Sequence, residues 1–208
     1  MARPRKSSEK GRQPTRDLLL EAAEAAFANH GYGDANLREI ASHVGVRHQT
    51  LLHYFDTKEG LYIEVLRRMA DSIRLHCFPP LESAQETTPE GHLTVLFDAW
   101  YDWAEAHRHF TRLISREYLD GIIAPEERAV DFLSLLPETF ADYIARTPGY
   151  SATDRLTPHA HLNLLMGMVS HGVIALSTMA VLDDLARDEF RRVYRSEALR
   201  VFITGVLS

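Results

Sequence analysis

The sequence predicts an all-α protein in which a small three-helix head precedes a larger helical body. Two observations carry that prediction. Apolar residues recur at helical spacing along the 208-residue chain, and no stretch alternates as a half-buried strand would. The breaks between helical stretches coincide with glycines, prolines and capping residues, which sets short helices first and long ones afterwards.

The first helix starts near Thr15 or Arg16 and runs to about Asn29. Leu19, Ala22, Ala23, Ala26 and Phe27 share one face, and Gly31 supplies the stop. Asn36 caps a second helix, with Glu39 three residues on as in a capping box, and Ile40, Ala41 and Val44 form its inner side. Gly45 ends it. A third short helix occupies roughly Arg47 to Tyr54, and a fourth begins at "DTKE", with Asp56 as cap and Glu59 as its partner. The segment from Phe78 to Gly91 holds three prolines among polar residues and reads as a linker. Five further helical stretches come after it, one of them interrupted at Pro137, and "TPGYSATDRLTP" reads as a loop. The expected boundaries are a basic disordered arm over 1–14, a helix-turn-helix domain over 15–57 and a helical body over 58–208.

Composition narrows the function. Cys77 is the only cysteine, so neither an intramolecular disulfide nor a cysteine-based zinc site can form, as suits a reducing cytosol. The first residues are basic and polar, without an apolar run of signal-peptide length. The apolar stretch around "LNLLMGMVSHGVIALSTMAVL" is interrupted by polar residues and reads as a buried helix. A soluble, cytoplasmic protein without membrane association is expected.

The net charge of −6 hides an asymmetry. Residues 1–16 carry six Lys or Arg against one acid, whereas residues 71–208 carry 12 Arg, no Lys and 20 acids. The N-terminal part is suited to a polyanion and the remainder is not.

Two helices joined by a glycine turn can lay the second in a major groove. The third helix is dense in hydrogen-bonding side chains. Arg47, His48 and Gln49 are the candidate base readers, because Arg matches a guanine edge and Gln an adenine edge. Thr50, His53 and Tyr54 suit phosphates, as does Lys58 at the exposed N–H groups opening the fourth helix.

In the body, Phe97, Trp100, Met166 and His171 are candidates for lining an effector pocket, since aromatic and Met side chains suit an apolar or aromatic ligand. Plain core packing explains the same stripe. His107/His109 and His159/His161 are spaced by two, which on a helix points their members about 200° apart. No metal site is expected, and no cofactor. Catalytic signatures are missing too: there is no glycine-rich phosphate loop or nucleophile elbow, and Cys77, expected near a helix end, has only His76 beside it. No enzyme is expected.

Residues 16–66 resemble the N-terminal domain of the TetR family of transcriptional regulators. Arg16, Leu19, Ala22, Ala23, Phe27 and "GY" at Gly31-Tyr32 carry the resemblance. So do "IA" at Ile40-Ala41, "VGV" at Val44 to Val46, "TL" at Thr50-Leu51, "YF" at Tyr54-Phe55 and "KEGL" at Lys58 to Leu61. The resemblance implies a homodimeric DNA-binding protein, usually a repressor, whose helical body takes a small effector and releases a palindromic operator. It further implies dimerisation through the last two helices, about 158–182 and 187–207, where Leu162, Leu165, Val169, Val193 and Phe202 supply apolar surface. Small residues such as Gly167 and Gly172 would allow close approach there. The chain departs from the family at Arg47, where Ser or Thr is frequent, at Leu52, where Tyr is common, and at Gln49, where a small residue is frequent. The operator cannot be carried over. The alternative reading is a helical small-molecule-binding protein or enzyme whose head does not read DNA.

Overall fold

A computed structural model describes residues 15–120, 131–178 and 184–208, and the expected arm over 1–14 lies outside them. Among the described residues the fold is helical, and it divides into two compact units that meet at Val65 and Leu66.

The first unit holds α1 (Thr15–Asp34), α2 (Leu37–His43), α3 (His48–Phe55) and the start of α4 (Lys58–Ser83). Gly31 breaks α1 at φ 76°, ψ 172°, a conformation that costs a residue without a side chain little, and one irregular turn continues to Asp34. Leu19, Ala23 and Phe27 of α1 meet Ile40 and Ala41 of α2, Leu51 and Phe55 of α3, and Leu61 and Val65 of α4 in one core. Phe27 is fully buried and packs edge-on against Tyr62 at 4.9 Å. Burying such a ring contributes about 2–3 kcal/mol.

Asn36 caps α2 by accepting from the Arg38 N–H at 2.9 Å. The expected capping box is only half made, because the Asn36 amide donates to the Glu39 carboxylate at 3.4 Å while no bond from Glu39 to the cap backbone forms. At α4 the cap moves by one residue. Thr57 Oγ1 accepts from the Gly60 N–H at 2.9 Å, while Asp56 stands outside the helix at φ 58°.

The helix α4 also runs further than expected. It continues through Pro79 and Pro80 to Ser83, where composition predicts a linker from Phe78. Each proline deprives a carbonyl one turn earlier, on Leu75 and His76, and both residues are exposed, so water can replace the bonds. Buried Cys77 and Leu81, with Phe78 against Phe140 at 5.6 Å, hold this last part in place. Cys77 therefore lies within α4 and not near its end.

In the second unit, α5 (Pro89–Ala106) opens on a Thr88 cap, and His107 separates it from α6 (Arg108–Asp120). The chain resumes in α7 (Asp131–Ala145), which continues through Pro137, then α8 (Thr157–Thr178) and α9 (Asp184–Leu207). α8 is the central helix and packs on α5, α6, α7 and α9. Leu162, Leu165, Val169, Val173 and Leu176 form its buried stripe. α9 is tied to α5 by charge: Arg195 donates to Asp98 at 2.8 Å and Asp102 at 2.6 Å, and Arg191 pairs with Glu105 at 2.7 Å. No helix among the described residues is long and apolar enough to cross a membrane.

Candidate nucleic-acid interface and a cavity in the body

The turn between α2 and α3 is built by backbone bonds. The Gly45 N–H reaches Ser42 O at 3.0 Å, and the Val46 N–H reaches Ala41 O at 3.0 Å. Arg47 then takes the N-cap of α3 in an extended conformation and makes no side-chain capping bond, so its guanidinium is not spent on its own helix. Leu51 and Phe55, one turn apart, anchor α3 in the core. That anchoring fixes the opposite face. Arg47, Gln49, His53 and Tyr54 are exposed, and His48 and Thr50 are half-buried at its margins. The His53 and Tyr54 rings lie 5.9 Å apart.

Lys58 sits differently from the rest. Its Nζ donates to Gly33 O at 2.8 Å and stands 5.0 Å from the Tyr32 ring centre, so it bridges the start of α4 to the end of α1. An ammonium has three donors, which leaves capacity for a phosphate. Arg16 is not among the site residues that the sequence suggests, yet it braces the head: it pairs with Glu64 and lies 5.2 Å from the Phe55 ring. Only its place in the family pattern signals it. Gly60 is likewise structural, since a Cβ there would meet Phe55 O at 2.3 Å.

Within the second unit lies a cavity of about 170 Å³. Leu66, Met69 and Ile73 of α4 form one wall, with Trp100 of α5 beside them. Ile114 and Glu117 come from α6, Phe140 and Pro137 from α7, and Leu162 and Met166 from α8. Trp100 and Met166, both expected from sequence, are brought together here. Phe97 and His171 are not. Phe97 is fully buried and turns towards Tyr101 and Phe202, and His171 is exposed on α8.

Other chemistry is less supported. Burial pushes the Cys77 thiol up to about 12, which leaves it protonated and unreactive. Among the described residues no three of His, Cys, Asp and Glu come together as a metal shell.

A cap, a tight turn, and a short helix that presents its polar face outward define a helix-turn-helix protein. Residues 19–65, which span the helix-turn-helix head, match the model described as bacterial regulatory proteins, tetR family. The chain is 37% identical over 94 residues to the HTH-type transcriptional repressor KstR2 of Mycolicibacterium smegmatis, covering 45% of this chain and 44% of that one. It is 43% identical over 130 residues to the HTH-type transcriptional regulator RutR of Escherichia coli, covering 59% and 57%. The chain thus spans about half the length of these curated relatives. Its fold is shared more widely. The structure of the ketosteroid transcriptional regulator KstR2 of Mycobacterium tuberculosis superposes with a TM-score of 0.69 at 21% identity, over 95% of this chain and 97% of that one.

Proposed function

We propose that this chain is a ligand-responsive transcriptional regulator of the cytoplasm, a repressor that binds a palindromic operator as a homodimer and is released by a small apolar or aromatic effector. The observation that carries the reading is the outward polar face of α3, fixed by Leu51 and Phe55 in a head of matching family. Arg47, His48 and Gln49 read base edges, while Thr50, His53, Tyr54 and Lys58 hold phosphates. The cavity is the effector site.

Dimerisation uses the outer surfaces of α8 and α9. Leu164 is 62% exposed and Val201 49%, an unusual cost for apolar side chains unless a second copy covers them. A Cβ at Gly167 or Gly205 would meet nothing within 4 Å, so both leave room for an approaching helix. Most of the apolar residues expected at the dimer, including Leu162, Leu165 and Val169, are spent on the core of one copy.

The test is selection of bound fragments from sheared genomic DNA with purified, refolded protein, then binding against salt concentration on the enriched site. One short palindrome, bound by a dimer with a steep salt slope, is the expected outcome. Uniform weak binding by ligand-stripped protein would favour a body that binds small molecules under a head that does not read DNA.

A further inference from the structure

Two histidines that the proposed function leaves unused meet within the second unit. The His76 ring, on α4, lies 4.8 Å from the His107 ring, centre to centre, with 71° between their planes. His107 stands at the corner between α5 and α6, so this pair is made by the fold and not by spacing along one helix.

Both rings are held in a form that suits a metal. His76 Nδ1 is 2.8 Å from Ser72 O, and His107 Nδ1 is 2.9 Å from Trp103 O. A carbonyl oxygen only accepts, so in the neutral ring each Nδ1 carries the proton and each Nε2 keeps its lone pair. Backbone carbonyls orient metal-binding histidines in the same way. Among the described residues neither Nε2 has a hydrogen-bond partner; His76 is exposed and His107 half-buried.

The spacing fits one shared ion. With metal–nitrogen distances of about 2.0–2.1 Å the ion stands about 3.2 Å from each ring centre, so two imidazoles at roughly 90–110° around it have centres about 4.5–5.2 Å apart. The observed 4.8 Å falls inside that interval. The pair is also braced. His107 stacks on the buried Trp103 at 5.4 Å, and Trp103 Nε1 donates to Ser72 Oγ at 3.0 Å, one turn before His76. Ligands held this way need little further ordering to bind.

We propose that His76 and His107 bind one divalent transition-metal ion, of the Ni²⁺, Cu²⁺ or Zn²⁺ kind, through their Nε2 atoms, with water completing the shell. Imidazole suits these ions, whereas Mg²⁺ prefers oxygen. With two protein ligands the site exchanges its ion, unlike the closed four-ligand sites that hold a fold together. Neither histidine lines the cavity, so the site stands apart from the effector reading.

The test titrates tag-free, full-length protein with Ni²⁺ at neutral pH and follows tryptophan emission, which a partly filled d shell quenches at short range. Trp103, stacked on His107, is the reporter. Quenching should saturate at one ion per chain, be reversed by Zn²⁺, which has a full d shell, and be absent with Mg²⁺. Losing one ligand of two forfeits the gain from binding both together, so His76→Gln should raise the Ni²⁺ midpoint by about tenfold or more. His107→Gln should do the same, and the double variant should be little worse than either. His109→Gln should change nothing. His76 is exposed on α4, and an unaltered melting temperature without metal is the check that His76→Gln folds.

The inference is overturned if no saturable quenching occurs, if His76→Gln keeps the wild-type midpoint, or if Mg²⁺ competes as well as Zn²⁺. A loss in His109→Gln as large as that in His76→Gln would also overturn it, by moving the ion to the start of α6.

Discussion

Lys58 Nζ and the carbonyl oxygen of Gly33 are 2.8 Å apart, so the cation that opens α4 also closes the end of α1. Lys58→Ala should therefore have two effects. It weakens binding to all DNA sequences alike and lowers the magnitude of the salt slope by about one. It also destabilises the fold by roughly 0.3–1 kcal/mol through loss of a positive charge at a helix end. Urea unfolding without DNA, beside binding at several salt concentrations, separates the two. An unchanged slope would mean that Lys58 serves the fold alone.

Gln49 is exposed, and the role proposed for it is opposite in kind. Gln49→Ala should leave stability unchanged and alter preference at one operator position, at a cost of about 1–3 kcal/mol there. Binding to a panel of single-base operator variants reads this directly. Equal weakening on every variant would assign Gln49 to the backbone.

Gly172 and Tyr194 lock α8 to α9. A Cβ on Gly172 would lie 2.1 Å from Tyr194 Cε1, and the Tyr194 hydroxyl donates to Met168 O at 2.7 Å, so the ring cannot easily retreat. Gly172→Ala should cost about 1–3 kcal/mol by overpacking. In the Tyr194→Ala background the same change should cost much less, a coupling that a double-mutant cycle of urea midpoints would reveal. Additive effects would show that the ring has another place to go.

His161 sets a modest pH dependence. Burial lowers its pKa below the ordinary 6.5, and its Nδ1 meets the Tyr150 hydroxyl at 3.1 Å. On acidification the unfolded chain takes up this proton first. The stability given by neutral His161 is complete above pH 6.5, falls as pH drops through that value, and levels off below the folded-state pKa. His161→Gln should flatten that part of the curve, as urea midpoints at pH 7.5 and 5.5 would record. A parallel loss in both proteins would place the effect elsewhere.

Much of the head is legible in the sequence because its signals are local. Asn36, Gly31 and Gly45 act within a turn of their own positions, and Leu51 and Phe55 are anchored one turn apart. The cap of α4 is misplaced by sequence because Asp56 and Thr57 can both cap, and only the backbone at Asp56 decides between them. The extension of α4 past Pro79 is hidden for a different reason. Composition marks two prolines as a breaker, whereas the burial of Cys77 and Leu81, which overrides them, depends on distant helices. The cavity is partly legible on the same grounds. Phe97 and Trp100 share an apolar stripe on α5, and nothing in that stripe says which of them meets a void.

Lysine occurs three times in the chain, at positions 6, 10 and 58, and the last of these is engaged with Gly33 and Tyr32. With no lysine beyond position 58, amine-reactive dyes leave α5 to α9 and the cavity chemically untouched. The same scarcity warns against a common assay. Amine-reactive cross-linkers have nothing to grip on α8 or α9, so a dimer joined there would run as a monomer on a denaturing gel after treatment, and carboxyl-directed reagents are the ones to use.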